Sequence, residues 1–223
     1  VQLMAVITIS RQFGAGGRTL GEKLASSFGY TLVDEDIIEQ TAQKANVSKE
    51  WIKGLEQEAG GSLQRYFTGL RPVRESYLYK AVIDKRGYID GHRYVEILYE
   101  IIPQIANQDN VIILGRGGQY ILQNRPQTYH LLLVARHEDR VRFLAQNYDI
   151  DSNKAQQIVI RQDKIRTNLY RFFDKEDYNS HFLYHAVLNM THLSQQQALD
   201  CSSALITSSQ DEATSSHMVK EQM

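Results

Sequence analysis

The chain has 223 residues, 42% of them hydrophobic, with a formal net charge of −1 and a single cysteine, Cys201. The near-neutral balance excludes bulk nucleic-acid binding through a basic surface, and no run approaches the roughly 20 apolar residues of a membrane span. One cysteine excludes an intrachain disulfide framework and the zinc or thiol motifs built on close cysteine pairs. In chain order, residues 5–9 form an apolar run that predicts a strand, and it leads straight into Ser10-Arg11-Gln12-Phe13-Gly14-Ala15-Gly16-Gly17-Arg18-Thr19. A helical pattern follows, with Leu20, Leu24 and Phe28 near one face. Residues 30–33 predict a second strand.

The next connection, 34–110, is longer than a crossover needs. Ser48 and Trp51 mark a cap and helix start within it, and Gly60-Gly61-Ser62 and Arg71-Pro72 break the pattern. Residues 93–106 then read as an amphipathic helix with Val95, Leu98, Ile102 and Ile105 inside. Val111-Ile112-Ile113-Leu114 and the run 129–135 do not alternate, which predicts strands buried on both faces, as in a parallel sheet. Residues 153–173 predict a helix carrying Lys154, Arg161, Lys164, Arg166 and Arg171. A fifth strand is expected at 186–189, and the Ser/Gln/Glu/Thr-rich stretch after Thr207 reads as a flexible tail. The rhythm is that of an α/β three-layer sandwich around a five-stranded parallel sheet. The organisation expected is a single domain over 1–207, with a core at 4–34 and 108–200. It includes a helical acceptor-binding insert at 35–107, a lid within 150–180, and a tail at 208–223.

Strand, glycine turn and helix together present backbone N–H groups to a phosphate. Gly14, Gly16 and Gly17 tolerate positive φ and close approach of an anion, and Ala15 lies among them. The standard phosphate loop is Gly-x4-Gly-Lys-Ser/Thr; here the lysine position holds Gly17. Arg18 and Arg11 are the two candidates to supply the missing charge, although a guanidinium is not an automatic substitute for an ammonium. Thr19 offers a hydroxyl to a divalent cation.

The segment Ile7 to Arg18 resembles the opening of the cytidylate-kinase-like family of P-loop proteins, in which glycine commonly replaces the loop lysine. The resemblance continues at Leu32-Val33-Asp34-Glu35-Asp36-Ile37-Ile38, at Val111 to Gly118, at Arg161-Gln162-Asp163-Lys164-Ile165-Arg166 and at Leu188-Asn189-Met190-Thr191. It implies a P-loop nucleotide-kinase-like fold and ATP-dependent phosphoryl transfer, with Mg2+, to a nucleoside monophosphate such as CMP or to another small acceptor. Two departures bear on that substrate. Gly117 stands where cytidylate kinases carry an acceptor-binding aspartate, and His185 and Met190 replace an aspartate and a threonine near the last strand.

Under that resemblance, Arg11, Gly14, Ala15, Gly16, Gly17, Arg18 and Thr19 hold the donor phosphates, and Arg140 lies near the nucleotide base. Thr19 and Asp34 serve Mg2+. Arg116, beyond the third strand, orients the acceptor phosphate, with Asp34 and Asp163 also on the acceptor side. Arg18, Arg116, Arg161, Lys164 and Arg166 stabilise the transferring phosphoryl group as a lid closes. A solvated helix face explains the lid cations equally simply, helix capping explains Asp34 and Glu35, and an exposed salt bridge explains Arg140. The alternative function is a nucleotide-binding regulatory or interaction module without transfer chemistry.

Weaker constellations remain. His181 and His185 are four apart and could share a helix face, without the carboxylate of a metalloprotease arrangement. The aromatic group Tyr170, Phe172, Phe173, Tyr178, Phe182 and Tyr184 frames a base or joins lid to core. The series Tyr66, Phe67, Tyr77, Tyr79, Tyr88, Tyr94 and Tyr99 lines an acceptor pocket, packs the insert or forms a homodimer surface. Cys201 reads as a packing residue. The first residues lack the basic segment and apolar run of an export signal, so a cytoplasmic setting is expected, with neither nucleic acid nor membrane as a partner.

Overall fold

β1 (Val6–Arg11) lies at the centre of a five-stranded sheet, between β3 (Val111–Leu114) and β4 (Thr128–Val134). β2 (Thr31–Val33) and β5 (Ala186–Asn189) form the edges, giving the order β2-β3-β1-β4-β5 with every pairing parallel. These strands belong to a computed structural model that describes residues 4–53, 90–173 and 179–220, except the side chains of Ile165, Asn168 and residues 209–220. The expected breaks at Gly60-Gly61-Ser62 and Arg71-Pro72 lie outside those residues, as do Tyr66, Phe67, Tyr77, Tyr79, Tyr88 and Tyr178.

The chain divides into two compact units. The first comprises Val1–Val33, Ile105–Arg136 and Ser180–Met223 and holds the whole sheet. Side chains alternate across it, as the strand period of two requires. Ile7, Ile9, Ile112, Leu114, Leu131, Leu133 and Leu188 turn to one face. They pack there with Leu20 and Leu24 of α1 (Gly17–Phe28) and with Ala198 and Ile206 of the C-terminal helix. The intervening residues of β1 turn to the other face. A short helix (Gly118–Ile121, here α4) crosses that face so closely that a Cβ on Gly118 would meet Thr8 Cγ2 at 3.2 Å. Gly21 serves the same end under α1, where a Cβ would meet Leu32 Cδ1 at 3.0 Å. A glycine inside a helix weakens it by about 1 kcal/mol relative to alanine, and this close helix-to-sheet approach explains its presence.

The second unit comprises Asp34–Gln104 and His137–Asn179. It contains α2 (Glu35–Ala45), most of α3 (Gly91–Ala106), α5 (His137–Tyr148) and α6 (Ser152–Arg171). Ser48 caps a further helical stretch at 49–53 through Trp51 N–H donating to Ser48 Oγ at 3.0 Å. Helix α3 begins two residues earlier than periodicity suggested, because the Asp90 carboxylate accepts from Arg93 N at 2.9 Å. Its expected inward residues, Val95, Leu98, Ile102 and Ile105, are buried, and Tyr94 and Ile97 join them with no exposed surface. Asp151 caps α6 by accepting from Lys154 N at 3.0 Å.

Two expectations need correction. The final helix is α7 (Gln195–Lys220). Cys201 is exposed on it and does not pack inside. His181 and His185 share no helix: His181 opens a single 3-10 turn, and His185 precedes β5. Among the described residues no helix is long and apolar enough to cross a membrane.

Candidate active site

The glycine turn sits at the carboxyl end of the central strand, where parallel α/β sheets place ligands. Chain order reverses there, since β1 has β3 on one side and β4 on the other. Gln12 fastens the turn to β4: its N–H donates to Leu133 O at 2.9 Å, and its side-chain oxygen accepts from Ala135 N at 3.0 Å. Gly14 (φ 82°) and Gly16 (φ 81°) adopt the left-handed conformation, which an L side chain strongly disfavours.

Gly16 is also the N-cap of α1. It has no side-chain cap, and no acidic residue occupies the first helical turn. The positive end of the helix dipole is therefore not neutralised by the helix's own residues. This arrangement fits a phosphate. Thr19 stands in that first turn and is half-buried. Magnesium at phosphate sites keeps several waters and takes one or two carboxylates with the substrate's phosphates. The Thr19 hydroxyl is of the kind that such a site uses in phosphate loops. No cluster of three His, Cys, Asp or Glu side chains is present among the described residues.

The two candidate cations of the loop are placed differently. Arg18 is exposed, with Nε 3.5 Å from Glu22 Oε1 one helical turn on. Arg11 is part-buried, and its side chain lies across Gly17. Beside it, the turn after β3 is tied to the central strand by Gly115 N–H donating to Ile9 O at 3.0 Å. Gly115 (φ 78°), Arg116 (φ 50°) and Gly117 (φ 71°) are successively left-handed. For Arg116 that conformation costs about 1 kcal/mol, and such strain concentrates at ligand sites. The structure thus brings together Arg11, the glycine turn and the Arg116 turn in one unit.

The remaining predicted residues belong to the second unit. Asp34 is the N-cap of α2 without a side-chain cap bond, so capping does not account for it; Glu35 pairs with Lys53 at 2.9 Å. Arg140 is not in an exposed salt bridge. It is 7% exposed, and its Nη1 donates to Asp163 Oδ2 at 2.6 Å. Asp163 therefore pairs with an arginine of α5, outside the expected lid. On α6, Arg161 and Lys164 are exposed and three residues apart, on one side of the helix. Arg166 is half-buried and falls on the side of Asp163. The lid cations do not form one face.

Several residues escaped the sequence reading. On the sheet face under α4, Ser10 Oγ donates to Gln119 Oε1 at 3.0 Å, and Thr8 Oγ1 lies 2.7 Å from His130 Nδ1. All four are nearly or fully buried, and Gln119 Nε2 lacks a partner among the described residues. His185 Nδ1 accepts from His130 N at 3.0 Å, and the two rings lie 5.3 Å apart. Burial, reinforced by His185, holds His130 down to about 4, while a backbone hydrogen bond at Leu122 opposes the shift. His130 is neutral at physiological pH. The available signal was the polar interruption of an apolar strand at alternate positions, Thr8 and Ser10. Gln195, whose amide end occupies the space over the Gly16 Cα, had no such signal.

The cytidylate kinase-like family matches residues 6–192. The chain belongs to that family. A cytidylate kinase of Methanoregula boonei is 24% identical over 189 residues, covering 83% of this chain and 85% of that protein. An uncharacterised protein from Eubacterium ventriosum has a similar solved fold, with a TM-score of 0.65 and 16% identity over 92% of this chain and 99% of the other. A gluconokinase from Sinorhizobium meliloti follows at a TM-score of 0.51 and 10% identity, covering 96% of this chain and 98% of that one. These two structures share the fold of the chain. The P-loop nucleotide-kinase superfamily, to which the family belongs, comprises ATP-dependent small-molecule kinases, typically working with Mg2+.

Proposed function

We propose that the protein transfers a phosphoryl group from ATP to a nucleoside monophosphate of the cytidylate type or a similar small phosphorylated acceptor. The observation that carries this reading is the uncapped N-terminus of α1, opening from a doubly left-handed glycine turn beside a strained Arg116. The name of the Methanoregula relative supports a cytidylate-type acceptor.

ATP supplies the phosphoryl group, and Mg2+ offsets its charge. Within this reading, the backbone of Gly14, Ala15, Gly16, Gly17, Arg18 and Thr19 holds the donor phosphates. The Thr19 hydroxyl and the Asp34 carboxylate serve the metal. Arg116 orients the acceptor phosphate through a planar, two-pronged guanidinium. Arg161, Lys164 and Arg166 are the lid cations that would spread charge over the transferring group. No general base is required, because a phosphate acceptor is already ionised. Arg140 and Asp163 hold α5 to α6 and so position the helix that carries those cations.

A second reading is favoured by Gly17 and Gly117, which lack the lysine and the aspartate of cytidylate kinases proper: a nucleotide-binding module without turnover. A thermal-shift screen across nucleotides, with and without Mg2+, followed by turnover assays with each monophosphate, separates the two. Binding with turnover supports transfer. Binding without turnover supports the module, and no binding refutes both.

A further inference from the structure

We propose that Arg11 replaces the missing loop lysine, and that Gly17 is glycine because the Arg11 side chain occupies the room a side chain there would need. This rests on the phosphate-binding reading above and deepens it. A Cβ built on Gly17 would lie 2.9 Å from both Cβ and Cγ of Arg11 and 3.2 Å from its Cδ. Real Cβ atoms essentially never come within 3.0 Å of such a neighbour, so the stem of Arg11 takes the room that a side chain at position 17 would need. The head group continues to the neighbouring strand, where a Cβ on Gly115 would overlap Arg11 Nη1 and come within 3.5 Å of Cζ.

Two glycines from separate segments thus leave a slot with one arginine lying in it. The slot runs from the first residue of α1 to the turn after β3. Both ends lie at the carboxyl edge of adjacent strands, β1 and β3. The cation has moved from the helix to the last residue of the central strand, yet it serves the same edge of the sheet. Arg18, the nearer candidate in sequence, lies beside Glu22 and is more than half exposed.

A lysine at position 17 and an arginine at position 11 exclude each other sterically. A flat guanidinium suits a narrow slot between two α-carbons and donates to two oxygens at once, where an ammonium acts as a point charge. Gly17 is therefore a relocation of the charge and not its loss.

The test compares the full-length wild type with Arg11→Met, Gly17→Lys and the double variant Arg11→Ala/Gly17→Lys. Each is measured for unliganded melting temperature and for calorimetric affinity toward inorganic tripolyphosphate and Mg-ATP. Arg11→Met keeps most of the stem. It should keep a cooperative melting transition while weakening tripolyphosphate about tenfold or more, the loss expected for a charge-assisted contact. Gly17→Lys alone should lower the melting temperature, because two side chains compete for one space. Removing the Arg11 stem in the double variant should restore it and recover most of the lost affinity. If the wild type binds tripolyphosphate and Arg11→Met binds it equally well, the inference is overturned while phosphate binding stands. Gly17→Lys melting and binding like the wild type overturns it too. A wild type that binds neither ligand refutes the phosphate-binding reading itself.

Discussion

Acidification should destabilise this protein chiefly through a buried imidazole. His130 is 3% exposed in the middle strands of the sheet, and burial holds its pKa to about 4 against an ordinary 6.5. The folded state thus resists a proton that the unfolded chain accepts, so between these values the unfolded state binds more protons. Stability is fully present above pH 6.5 and is lost as pH falls through 4. At pH 5 the loss is about 2 kcal/mol, and below pH 4 it reaches about 3 kcal/mol. Burial lowers His185 as well, and protonation of its Nδ1 would break the bond from His130 N, so the second ring pushes in the same direction. Urea denaturation at pH 7.5, 6 and 5 measures the slope, and His130→Asn, which keeps a polar partner for Thr8, should flatten it. NMR titration of the ring provides an independent reading in the intact protein. A His130 pKa near 6.5, or equal slopes in the two proteins, would refute the reasoning.

The other predictions concern the site and its supports. Arg116→Ala should weaken acceptor use in steady-state kinetics while ATP affinity is retained, because the two-pronged guanidinium is lost from the turn after β3. Arg140→Ala should cost about 3 kcal/mol in denaturant titrations by leaving Asp163 without its nearly buried partner. A loss below 0.5 kcal/mol would show that the pair does not hold the two helices. Cys201, exposed on α7, should react with a thiol reagent in the folded protein at the rate seen in the unfolded chain within about tenfold. Protection to the level of a buried thiol would contradict its placement.

The sheet was legible because parallel strands buried on both faces require continuous apolar runs, and 111–114 and 131–134 are such runs. The glycine turn was legible because positive φ is expensive for other residues, so local backbone demand writes itself into composition. The family followed from the same ordered blocks. Side-chain destinations are a different matter. That Arg11 lies across Gly17 and Gly115, 6 and 104 positions away, depends on β3 pairing beside β1, and no local pattern encodes that pairing. A place near the nucleotide base and an exposed salt bridge were both open for Arg140, because arginine is usually exposed; only the approach of α5 to α6 delivers Asp163 and makes its burial tolerable. The polar group Thr8, Ser10, Gln119 and His130 likewise exists only after β1, α4 and β4 have assembled. Local composition determined which segments become strands, turns and helices. Tertiary packing decided which cation reaches the loop, because that choice depends on space between segments far apart in the chain.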